Sequence, residues 1–125
     1  MKGIPMWTWD QSAGELRRDG AIVSRGYSGS GRGKNNPALQ AATGIGPIPR
    51  GRWTITGRKD SRNTGPCTLI LMPARETALF GRSLFRIHGD SIANPGTASH
   101  GCIILPRATR DAIWRSGDHE LEVVA

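Results

Sequence analysis

The sequence predicts a mostly β protein, a sandwich or barrel of short strands with one short helix near the C-terminus. Three observations carry that prediction. Apolar residues recur in brief alternating runs, clusters of Gly, Pro and Asn separate those runs, and a single segment has helical start and stop signals. A chain of 125 residues with 17 Gly and 8 Pro fits one turn-rich domain spanning residues 1–125. Leu, Ile, Val and Phe together are under a fifth of the chain, close to the level of disordered sequences, but four Trp supply bulky core material.

Each element has its own local reason. Residues 7–10 and 15–18 read as a hairpin around Ser12-Ala13-Gly14, and 21–27 reads as a third strand. The stretch from Gly26 to Pro37 is Gly-rich without being a phosphate loop. Ser28 stands where such a loop needs its first Gly, and Asn35 follows Lys34 in place of Ser or Thr. It reads as a surface loop bordering a cleft. The run Ile45-Gly46-Pro47-Ile48-Pro49-Arg50-Gly51 is a turn feeding a strand over 51–56 that carries Trp53. Further strands are expected over 67–72, 84–88, 102–105 and 120–124. Between the last two, Pro106 suits the first turn of a helix, Ala108, Ala112 and Ile113 share a face with Leu105, and Gly117 is the stop.

Lys and Arg number 17 against 10 Asp and Glu, giving a net charge of +7 and a pI of about 10.7. The basic residues are scattered as solvated surface, and no zinc-finger spacing, RNP motif or basic helical stripe directs them to nucleic acid. The apolar run at the N-terminus is broken at Pro5 and closed at Asp10, too short for a signal-peptide core. Leu69–Met72 is far too short to cross a bilayer. A soluble protein without a signal peptide or membrane insertion is therefore expected.

The chemistry lies around His88 and Cys102. Alternation in Leu84-Phe85-Arg86-Ile87-His88-Gly89 puts Phe85 and Ile87 on one face and Arg86 and His88 on the other, with Gly89 opening a loop. Fourteen positions on, Cys102 heads the apolar run Ile103-Ile104-Leu105. Two neighbouring strands joined by that loop present both side chains to one cleft. A free thiol has a pKa of about 8.5, so a cysteine nucleophile needs a base within reach, and a histidine can take the proton and return it to a leaving amine. Gly101 permits a tight turn, and the Cys102 amide is a candidate donor to an oxyanion. His100 is a rival base, but in an extended chain it stands about 6.6 Å from Cys102, two strand rises away. His88 is preferred as base, with His100 a cleft residue. Cys67 reads as a small buried thiol, His119 as surface, and two Cys with three His match no zinc spacing.

Ile87-His88-Gly89 followed by Ser99-His100-Gly101-Cys102-Ile103 resembles the signature of L,D-transpeptidases, the cysteine enzymes that cross-link or trim peptidoglycan stem peptides. Tyr27-Ser28-Gly29, Lys34-Asn35-Asn36-Pro37, Gly46-Pro47-Ile48-Pro49 and Gly81-Arg82-Ser83-Leu84-Phe85 are similar to the L,D-transpeptidase-like effectors of bacterial type VI secretion systems. The resemblance implies an L,D-transpeptidase-like fold with Cys102 as nucleophile, His88 as base and the Gly89 carbonyl orienting the imidazole. Ser99, His100 and Gly101 line the site, with Arg82, Ser83, Asp90, Asn35 and Asn36 as further substrate contacts. It implies no cofactor and no metal.

The implied reaction is acyl transfer on tetrapeptide stems, with water (L,D-carboxypeptidase) or a D-amino acid (exchange) as acceptor; the alternative is a catalytically silent cell-wall-binding domain of the same fold. The implied partners are the stem peptides, an acidic immunity protein and a component of the secretion apparatus. The implied place of action is the periplasm of a target bacterium, after synthesis in the cytoplasm. Many L,D-transpeptidases carry Asn or Arg two residues after the cysteine, where this chain has Ile104. A bridge between Cys67 and Cys102 would consume the nucleophile, so no disulfide is expected.

Overall fold

The computed structural model describes residues 6–125. Among them nine strands form one sheet. In chain order they are β1 (Trp7–Asp10), β2 (Glu15–Arg18), β3 (Ala21–Arg25), β4 (Tyr27–Ser28), β5 (Gly51–Ser61), β6 (Gly65–Pro73), β7 (Arg86–His88), β8 (Ile103–Ile104) and β9 (Glu120–Val124). The helix α1 (Arg107–Arg115) lies between β8 and β9. The spatial order is β3-β2-β1-β9-β5-β6-β7-β8-β4. The sheet is open, with β3 and β4 at opposite edges, yet those two strands are separated in the chain by Gly26 alone. The sheet must therefore curl until its edges nearly meet. Gly26 is required at that corner: a Cβ there would lie 1.8 Å from the Ile104 carbonyl oxygen.

Strand alternation builds the core. Trp7 and Trp9 point inward opposite Leu121 and Val123 of the parallel neighbour β9, and Trp53 faces Leu121 from β5. Leu69, Ile87 and Ile103 continue the row across β6, β7 and β8. Trp53 meets Phe85 edge to face at 5.1 Å. Cys67 and Cys102 are both free thiols.

Several boundaries differ from the sequence expectation. The strand expected over 21–27 is broken at Gly26. The one expected over 51–56 runs on to Ser61, because a register shift between Ile55 and Gly57 turns the strand and lets its charged second half pair with β6 in solvent. The strand expected over 84–88 begins only at Arg86, since Leu84 has φ +63. Cys102 precedes its strand instead of heading it. In α1 the buried residues are Arg110 and Ile113, while Ala108 and Ala112 are exposed. The helix turns this face inward, where Arg110 meets the backbone carbonyls of Pro66 and Cys67 in β6. Pro106 is the residue before the first turn, and Gly117, at φ +70, follows the last. His119 is half-buried, stacked on Trp114 at 5.0 Å.

Candidate active site

The parallel pairing of β7 and β8 sets the site. Ile87 opposes Ile103 and His88 opposes Ile104, which places Cys102, one residue before β8, across from Arg86 and diagonal to His88. His88 and Cys102 line one open cleft of about 1290 Å³. Its walls include Tyr27, Ser83, Leu84, Arg86, Gly89, Asp90 and His100.

His88 is buried, and its Nδ1 lies 2.8 Å from the Gly89 carbonyl oxygen. A carbonyl only accepts, so Nδ1 carries the proton and Nε2 keeps its lone pair. Burial pulls the imidazole below the ordinary histidine range; the Gly89 carbonyl and Asp90 oppose this, and the charges of Arg110 and Arg86 reinforce it. Cys102 is half-buried, with Sγ donating to the Leu84 carbonyl at 3.6 Å. Burial pushes the thiol up, opposed by the Arg86 backbone N–H and the charges of Arg86 and Arg82. Both shifts favour the neutral thiol and the neutral imidazole.

The turn that presents Cys102 is clamped from beneath. Gly101 has φ +141, and a Cβ on it would lie 2.6 Å from Arg82 Nη2 and 2.9 Å from Phe85. The Ser99 hydroxyl donates to the Cys102 carbonyl at 2.6 Å and accepts from the Gly29 and Gly101 amides at 2.9 and 3.1 Å. The Ser28 hydroxyl donates to the Gly101 carbonyl and accepts from the Ile48 amide, both at 2.9 Å.

Several expected substrate contacts have other work. Arg82 is buried, and its guanidinium donates to the carbonyls of Gln40, Gly46, Pro47 and His100, with its face over Phe85 at 5.1 Å. It ties residues 40–47 to the His100–Gly101 turn and does not line the cleft. Ser99 is fully buried under the same turn. The Asn35 side chain accepts from the Ser28 amide, and the Asn36 side chain accepts from the Ala38 amide to cap a short 3₁₀ turn over Pro37–Leu39. Both asparagines are spent on their own loop, outside the cleft. Asp90 is on the rim, but it accepts from Tyr27 and from the Ser91 and Gly96 amides, holding the 89–98 loop against β4. Partial burial acts to raise its pKa, yet these bonds and Lys34 keep the carboxyl low; the Tyr27 hydroxyl, desolvated and bonded to Asp90, is pushed up to about 12. Ser83 and His100 are exposed on the cleft surface, His100 with Nδ1 3.1 Å from the Gly44 carbonyl.

Arg86 and Arg110 were missed as site residues. Alternation placed Arg86 on the His88 face, so a cation near Cys102 was readable there. Arg110 sits in a helix whose partner strand only the tertiary fold supplies. No group of three or more His, Cys, Asp or Glu converges as a metal site among the described residues, and no described helix is long and apolar enough to cross a membrane.

A model of the Tlde1 domain matches residues 23–124, nearly the whole chain. The chain belongs to the Tlde1 domain family, a type VI effector family. The Tlde1 region takes in the end of β3 and every element from β4 to β9, including His88 and Cys102. The fold is similar to that of an L,D-transpeptidase (Yku) from Stackebrandtia nassauensis, with TM-score 0.58 and 14% identity over 100% of this chain and 57% of that one. An L,D-transpeptidase from Mycobacterium smegmatis aligns with TM-score 0.49 and 18% identity over 98% of this chain and 59% of the other. The Tlde1 chain thus spans less than three-fifths of either solved structure. A search of the curated proteins finds no match.

Proposed function

We propose that this chain is a peptidoglycan-modifying effector enzyme in which Cys102 is the nucleophile, His88 the base and the Gly89 carbonyl the group that orients it. The observation that carries the reading is the placement of Cys102 and His88 along one cleft with the His88 Nδ1 proton held by Gly89, so that Nε2 is free to take the thiol proton. Membership of the Tlde1 family and a fold shared with an L,D-transpeptidase support it.

The reaction starts from a tetrapeptide stem. His88 Nε2 accepts the Cys102 proton as Sγ attacks the carbonyl of the third residue, and the Cys102 N–H is the candidate donor to the oxyanion. The tetrahedral adduct collapses to a thioester, the C–N bond breaks, and the imidazolium returns its proton to the departing D-Ala amine. Water or a D-amino acid, deprotonated by His88, then attacks the thioester and releases the thiol. Either acceptor removes donor stems from cross-linking. The net charge of +7 favours approach to an anionic wall and suits an acidic immunity protein over the cleft. Delivery through a secretion apparatus, and action in the periplasm of a target cell, belong to the same proposal. So does the view of residues 1–125 as one catalytic domain.

The test is incubation of the purified protein with tetrapeptide muropeptides and mass spectrometry of the products. Tripeptide, or a stem with an exchanged terminal residue, is expected from the wild type and not from Cys102→Ala or His88→Gln. Stem binding without any product from the wild type would overturn the enzyme reading in favour of a silent wall-binding domain.

A further inference from the structure

The cleft is unbalanced in charge. Arg25, Arg62, Arg86, Arg107 and Arg110 line it against one acid, Asp90, whose oxygens are taken by Tyr27, Ser91 and Gly96. Arg25 and Arg107 are paired with Glu15 and Asp111 on the rim. Arg110 is different. It is 95% buried, its exposure being only 5%. Its Nε donates to the Leu105 carbonyl at 3.1 Å, and its Nη1 donates to the carbonyls of Pro66 and Cys67 at 2.7 and 3.0 Å. These bonds fix the plane of the guanidinium and occupy Nε and Nη1, leaving Nη2. Among the described residues no acceptor takes the Nη2 protons, and Nη2 is the atom that a Cβ on Gly89 would meet at 2.8 Å. Nη2 of a rigidly held cation in the cleft lining thus lies beside the residue that anchors His88. Arg86, half-buried on the cleft face across from Cys102, has no side-chain hydrogen bond or ion pair among the described residues. Two cations act on the imidazole, and Arg110 Nη2 and the Arg86 guanidinium have no acceptor among the described residues.

A buried guanidinium whose Nη2 protons have no acceptor is matched by an anion that accepts from that nitrogen. Resting on the acyl-transfer reading above, the position identifies which anion. His88 protonates the departing amine, so the leaving residue lies on the His88 side of the scissile bond. Its α-carboxylate is two bonds from that amine. We infer that Arg110 Nη2, assisted by Arg86, forms a subsite for the free terminal carboxylate of the leaving residue, which makes the cleft selective for peptides with an unblocked C-terminus. The same subsite would exclude a cross-linked or amidated stem, in which that carboxylate is lost, because Nη2 would stay desolvated without a partner.

The test changes the ligand before the protein. Cys102→Ala is titrated by calorimetry with a tetrapeptide stem ending in a free carboxylate and with the same peptide ending in an amide. The acid is expected to bind at least tenfold more tightly, and that preference is expected to shrink towards unity in Arg110→Met and Arg86→Gln placed on the same background. Arg86→Gln removes no bond that holds the fold, so it reports even where Arg110→Met does not fold. Equal affinity for the two peptides, or binding of neither, overturns the subsite. Turnover by the otherwise unmodified enzyme separates the two readings. Equal cleavage of acid and amide keeps the cysteine chemistry and removes the subsite, whereas acid-selective binding without cleavage keeps the subsite and removes the chemistry.

Discussion

At the scale of single residues the site is a balance of burial against nearby charge. His88 is held below its ordinary pKa and Cys102 above its own. The productive form, neutral imidazole beside a thiol, therefore spans neutral pH, and kcat/KM is expected to fall only on the acid side of the usual histidine range. Removing the Arg86 charge with Arg86→Gln should move that acid limb to higher pH, read from a pH–rate profile; an unmoved limb would show that the charge is screened. The sign carries over to stability. The unfolded chain binds a proton at His88 at higher pH than the native one, so stability rises with pH through that window and is lost as pH falls from the usual histidine range to the depressed native value. His88→Gln should flatten that part of the stability curve in urea titrations at stepped pH. Gly101 supplies another residue-scale test. At φ +141, against Arg82 and Phe85, Gly101→Ala is expected to cost about 2–4 kcal/mol by chemical denaturation. The motif around Gly101 was legible in the sequence, but the guanidinium that makes Gly101 necessary comes from Arg82, nineteen positions earlier.

At the scale of elements, the strands were legible where alternation is strict and lost where it breaks. Trp7–Asp10, Glu15–Arg18 and Glu120–Val124 match expectation to the residue, because each has one face in the core. The second half of β5, with Arg58, Lys59 and Asp60 exposed, shows no apolar pattern and is a strand only because β6 pairs with it. The helix was placed nearly correctly and Ile113 faces the core beside Leu105 as expected, but Ala108 and Ala112 are exposed and Arg110 is buried, since a buried arginine defeats any reading by hydrophobicity. Edge strand β3 carries Ile22 and Val23 at 50% and 47% exposure, so neither side chain holds the core. Ile22→Thr with Val23→Thr should leave stability within about 0.5 kcal/mol while reducing self-association in light scattering. A loss of several kcal/mol would mean that this edge is buried against something.

At the scale of the whole molecule the two cysteines are separated by role. Cys67 is fully buried and Cys102 half-buried in the cleft. One thiol is expected to react with a thiol reagent in the native protein and a second only on unfolding, and the unfolding midpoint should not depend on reductant; two fast thiols would contradict the packing around Cys67. What stabilises a small chain without a cross-link is the curled sheet, whose two edges are joined through Gly26 over a core of three fully or nearly fully buried tryptophans.

The sequence by itself determined the β class, most strand positions, the single helix and the placement of His88 and Cys102 on one cleft, because these depend on alternation, turn residues and short motifs within one stretch of chain. The tertiary structure alone decided what surrounds that pair. It turned Arg82, Ser99, Asn35 and Asn36 into supports by giving them backbone partners from distant segments, and it brought Arg110 from the helix to the edge of Gly89. Hydrogen-bond satisfaction of a buried polar group is a property of all the elements that meet there, and local pattern carries no record of it.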